Sequence, residues 1–151
     1  NYRMKNKITI IGIFGIVIFS VFFCWSRNSK LLPSESDIDY IEVTYGITDD
    51  DPTYYIDSID SINKIFNITS INRCKEINYI LEDSPLEYIT FVDGPYHWLV
   101  GISENQAGVV CYAVSVYKND APILSRDHFY TPKEVKTYDY VIKELKKITM
   151  E

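Results

Sequence analysis

EYITFVDGPYHWLVGISENQAGVVCYAVSVY, residues 87–117, is the stretch that decides the fold. Three runs rich in β-branched and aromatic residues, Glu87–Val92, Tyr96–Ile102 and Val109–Tyr117, are separated by Asp93-Gly94 and by Glu104–Gly108. Asp-Gly between alternating apolar runs is a strong short-range hairpin signal, and the second gap again supplies turn residues. A fourth run, Ala121–Tyr130, follows the turn Lys118-Asn119-Asp120. The pattern predicts an antiparallel meander. Trp98 beside Leu99, and Tyr112 beside Ala113, put apolar groups on both faces, so the middle of the sheet is expected to be covered on both sides.

Downstream, Thr131-Pro132-Lys133-Glu134 combines a Thr cap, Pro at the first helical position and Glu at the third. Val135, Tyr138, Ile142 and Leu145 follow at steps of three, four and three, which predicts a helix from Pro132 to about Thr149. Upstream, Ile38–Tyr45 alternates Ile41, Val43 and Tyr45 against Tyr40, Glu42 and Thr44 and reads as a strand. Gly46–Ile56, with Asp49, Asp50, Asp51 and Pro52, reads as a loop. From Ile56 to Ile80 an apolar residue recurs every three positions. That period drifts about 60° per step on an α-helix, so no single straight helix buries them all. A short helix over Ser58–Asn67, capped by Asp57 or Ser58, is expected to point Ile59, Ile62, Ile65 and Phe66 inward. Ile71–Leu81 reads as strand-like. The expected class is therefore α+β: an antiparallel sheet of about five strands with a short N-terminal helix and a longer C-terminal helix, preceded by a single transmembrane helix.

That last element rests on Ile8–Trp25, 18 residues without a charge. As a helix they extend roughly 27 Å, close to the thickness of a bilayer's hydrocarbon core. Arg3, Lys5 and Lys7 before the run outnumber Arg27 and Lys30 after it, which favours the N-terminus inside and the rest outside. A cleaved signal and a lipoprotein anchored at Cys24 are the alternatives, and each of the three exports the remainder. The expected organisation is a basic N-terminus over 1–7, a membrane helix over 8–25, a polar tether over 26–37, and an extracytoplasmic domain over 38–151.

Charge divides along the same line. Residues 1–30 carry a balance of +5 and residues 31–151 a balance of −11. The acidic part repels nucleic-acid phosphate and excludes that partner class. The basic end suits an anionic lipid surface.

No motif names a reaction. The Asp49–Asp51 run lacks calcium-loop spacing, and His97 and His128 are the only histidines, without zinc-ligand spacing, so neither a metal nor a cofactor is expected. Cys111 as a nucleophile competes with Cys111 as a small core residue. Cys74 and Cys111 are the two cysteines outside the apolar run; export would let them form a disulfide, and two buried free thiols is the alternative. Tyr54, Tyr55, Tyr96 and Trp98 form a candidate aromatic binding platform, against which alternation reads Trp98 as core. The expected function is a membrane-anchored extracytoplasmic binding or accessory module whose partner is another protein. An immunity or inhibitor protein that neutralises a basic partner is the alternative, and a cell-wall hydrolase or metal-dependent enzyme the third reading.

Overall fold

The computed structural model describes residues 32–78, 85–123 and 128–150. The expected membrane helix over 8–25 lies outside the described residues. Chain order is β1 (Tyr40–Tyr45), β2 (Thr53–Ile56), α1 (Ile59–Thr69), β3 (Cys74–Glu76), β4 (Glu87–Asp93), β5 (Tyr96–Glu104), β6 (Val110–Lys118), β7 (Ala121–Pro122), β8 (His128–Pro132) and α2 (Tyr138–Thr149). All eight strands join one antiparallel sheet in the order β2-β1-β4-β5-β6-β8-β3, with β7 paired to the end of β6.

The expected class is corrected here: the fold is sheet-rich, with eight strands instead of about five. The meander survives as β4, β5 and β6, and the additional strands are short. β2 lies at the end of an aspartate-rich stretch that reads as loop. β3 falls inside the run 71–81 that reads as strand-like, but the strand is only its three residues, and Ile71–Arg73 before it form a short 3-10 turn. The run Ala121–Tyr130 contains two strands, β7 and β8. Asn119 and Asp120, both at positive φ (50° and 62°), make the two-residue turn from β6 to β7.

The C-terminal helix begins six residues later than the capping signal predicts. Thr131 and Pro132 are strand residues, paired with Lys75 and Cys74, and the Thr131 hydroxyl donates to the Val110 carbonyl at 2.9 Å. Pro132 ends its strand, a place where its missing N–H removes no ladder bond from a strand interior. The working cap is Thr137, whose hydroxyl accepts from the Tyr140 N–H at 3.3 Å. The two helices are thus nearly equal, at 11 and 12 residues.

Both helices lie on one face of the sheet. Strand alternation gives that face Ile41, Val43, Ile89, Phe91, Val100, Ile102, Tyr112 and Val114, all essentially buried. From α1, Phe66 meets Phe91 with ring centroids 5.1 Å apart, and Ile62 and Ile65 are buried beside it. Ile59, expected inward, is 75% exposed at the helix's first turn. Ser58 caps α1 through its hydroxyl, and Ser70 ends it in the left-handed region at φ 50°. The Tyr112 hydroxyl donates to the Thr69 carbonyl at 2.8 Å, fastening the helix end to the sheet. From α2, Leu145 is fully buried and the Tyr138 hydroxyl donates to Glu87 at 2.6 Å. Packing reaches back to Leu32 and Pro33, so part of the segment read as tether contributes to the folded unit.

Candidate binding surface

Neither helix covers the other face. In its middle, small residues face each other across β5 and β6: Gly101 pairs with Ala113, and Ser103 with Cys111. Pro85 lies against this trough. A Cβ on Gly101 would stand 2.7 Å from the Pro85 ring, so only glycine fits beneath it. The middle of this face is buried, as expected, with Cys111 1% and Ala113 8% exposed, and the face opens only towards β1 and β2.

Towards β1 and β2 the same face carries a different set of side chains. Tyr40, Glu42 and Thr44 alternate outward from β1, opposite the buried Ile41 and Val43. Register pairs Glu42 with Tyr55 and Thr44 with Thr53, whose hydroxyls lie 3.0 Å apart. Tyr40 and Tyr55 bring their ring centroids to 4.7 Å at an interplanar angle of 33°. Tyr55 is 61% exposed. Its hydroxyl is held above the ordinary tyrosine range, first by loss of solvent and then by the negative charge of Asp57, with Tyr40, Glu42 and Asp39 adding to it. Asp39 also accepts from the Gly94 N–H at 2.7 Å, which ties the β4–β5 turn to the same corner. The result is a paired-tyrosine surface with three carboxylates around it. Aromatic faces and carboxylates both attract cations, and together they suit a Lys or Arg side chain.

The four expected platform residues do not converge. Tyr54 and Tyr55 are neighbours on one strand and therefore point to opposite faces. Tyr54 joins Tyr45 on the helix side, with centroids 5.8 Å apart. Trp98 is a core residue, 3% exposed, and Tyr96 stacks on it at 6.0 Å with the Lys118 ammonium 5.3 Å above the Tyr96 ring. Three strand spacings, roughly 14 Å, separate β2 from β5. Only Tyr55 belongs to the open face. β1's alternation alone places its partner, Tyr40, outward, but only the pairing of β1 with β2, a segment whose sequence reads as loop, brings the two rings together.

Cys74 and Cys111 are both free thiols. β8 lies between their strands, which puts them roughly 10 Å apart. Pairing across β8 also sets Cys74 in line with the helix face and Cys111 with the open face. A disulfide needs Cα atoms within about 7 Å and converging side chains. The Cys74 thiol donates to the Ser70 carbonyl at 3.3 Å, and burial pushes its pKa up to about 12. Burial raises Cys111 as well. Neither has the character of a nucleophile.

His128 and Glu76 approach to 3.1 Å at the β8–β3 edge, while His97 stands on the open face between Val92 and Tyr117. Asp51 closes its own loop, accepting from the Thr48 N–H and hydroxyl at 2.7 and 2.8 Å, which lowers its pKa. Among the described residues, no three His, Cys, Asp or Glu side chains gather as metal ligands do, and no helix is long and apolar enough to cross a membrane. An open groove of about 490 Å³ runs between the helices, lined by Lys64, Asn67, Ile68, Glu144 and Lys147 among others. Its Glu144 and Lys147 pair with each other at 2.6 Å.

No protein-family model, no curated protein and no solved structure matches this chain.

Proposed function

We propose that this protein is a binding module, held at the outer surface of a membrane by residues 8–25, that takes a basic protein partner on the open face of its sheet. The observation that carries the reading is the pair of the exposed Tyr55 and the half-buried Tyr40 with Asp39, Glu42 and Asp57 around it. The −11 balance of residues 31–151 supports it at longer range, because a field of one sign speeds the arrival of a partner of the other. The uncharged run of 18 residues between basic flanks supports the anchor.

Binding to a small cationic protein, followed by calorimetry at rising ionic strength, tests the recognition step. Tyr55→Ala and Asp57→Asn are each expected to weaken it, and added salt to weaken it further. Affinity untouched by both substitutions would place the contact elsewhere. The anchor is tested separately: the full chain is expected to stay in the pellet when membranes are washed with alkaline carbonate.

A further inference from the structure

The two edges of the sheet are not built alike. β3, at one end, is Cys74-Lys75-Glu76: three residues, two of them charged and exposed. Short length and charge are the usual means of keeping an edge from pairing with another chain. β2, at the other end, is Thr53-Tyr54-Tyr55-Ile56, uncharged and of high strand propensity. It is bonded to β1 on one side, and among the described residues no strand lies beyond it. In an antiparallel edge, alternate residues turn their N–H and C=O groups outward. β2 thus offers a short ladder with no built-in block between Pro52 and Asp57.

We infer that β2 is the docking edge for an extended segment of the partner, which adds as a ninth strand and carries basic side chains at alternate positions. This deepens the proposed function and rests on its claim that the partner is basic. The pattern of the segment follows from the pleat. On the open face, a residue opposite Tyr55 would lie against the exposed ring and within a long side chain's reach of Asp57 and Glu42, which favours Lys or Arg. On the helix face, residues flanking that position would meet the half-buried Tyr54 and the buried Ile56, which favours an apolar side chain. The expected pattern is basic–apolar–basic. A second copy of this chain is disfavoured at the same edge, because β2 against β2 brings the acids of both copies together.

The test uses the full chain and a synthetic nine-residue peptide of alternating lysine and valine, with binding read by fluorescence anisotropy. Two further peptides carry N-methyl groups, one on the lysine amides and the other on the valine amides. Backbone pairing uses only one of these sets, so one methylated peptide is expected to lose at least tenfold in affinity while the other keeps it. Tyr55→Ala, at an exposed site, is expected to weaken the unmodified peptide at least fivefold, with Asp57→Asn as a second variant that leaves the strand intact. Binding that survives both methylation patterns would overturn strand addition while leaving the basic-partner reading standing. Failure of the alternating peptide and of unstructured polylysine alike would overturn both. Concentration-dependent dimerisation abolished by Tyr55→Ala would overturn the inference in favour of self-pairing.

Discussion

Two buried tyrosines on the helix face carry hydroxyls in opposite circumstances. Tyr112 is fully buried and donates to the Thr69 carbonyl at the end of α1. Tyr130, its cross-strand neighbour, is 5% exposed and its hydroxyl meets no hydrogen-bond partner among the described residues. Phenylalanine has nearly the same shape, so each Tyr→Phe change isolates one oxygen. Tyr112→Phe strands a buried carbonyl and is expected to cost about 1–3 kcal/mol. Tyr130→Phe removes an unsatisfied polar atom and is expected to be neutral or stabilising. Denaturant unfolding of both variants checks the pair, and equal losses at the two positions would mean that Tyr130 is also bonded. Gly101 gives a third residue-scale expectation. Gly101→Ala pushes a methyl into the Pro85 ring and is expected to destabilise by about 1–3 kcal/mol.

At the scale of elements, two threonines compete for one helix start, and the structure separates their roles. Thr137→Ala removes the hydroxyl that accepts from Tyr140 and is expected to cost about 1 kcal/mol, read as lost helicity and lower stability. Thr131→Ala instead removes a strand hydroxyl bonded to Val110, and helicity is expected to hold. Leu145→Ala, at a fully buried site, is expected to cost about 2–5 kcal/mol. What was legible beforehand follows the same division. β4, β5 and β6 are long runs with turn residues between them, and local pattern sufficed. The capping box at Thr131 is equally strong locally, but pairing of β8 with β6 on one side and β3 on the other captured that segment. β2 is too short to show a period, and β3 is three residues within a run that reads as strand-like without defined ends, so the pairing of β2 with β1 and of β3 with β8 is not written in either segment alone. Of the candidate site, Tyr55 could be read in advance; Tyr40 could not be joined to it without β2.

Across the whole molecule, one helix-covered face holds the core and the open face holds the proposed contact, so the two respond to different perturbations. Salt and surface substitutions act on the open face. Alkali acts on the core, because several groups there are held neutral by burial. Loss of solvent pushes Tyr130 up to about 12 and Cys74 to about 12, and it raises Tyr112 and Tyr138 as well. An unfolded tyrosine loses its proton near pH 10. Between that value and about 12 the unfolded chain has therefore given up protons that the folded chain keeps. Folding stability is full below the unfolded value and falls as pH rises through this window. The melting temperature is accordingly expected to be flat near pH 8 and to drop steeply by pH 11. Tyr130→Phe takes one of these groups out of the balance, so its curve is expected to fall less steeply than the parent's over the same range. Parallel curves for the two proteins would show that the Tyr130 hydroxyl ionises as readily in the fold as outside it.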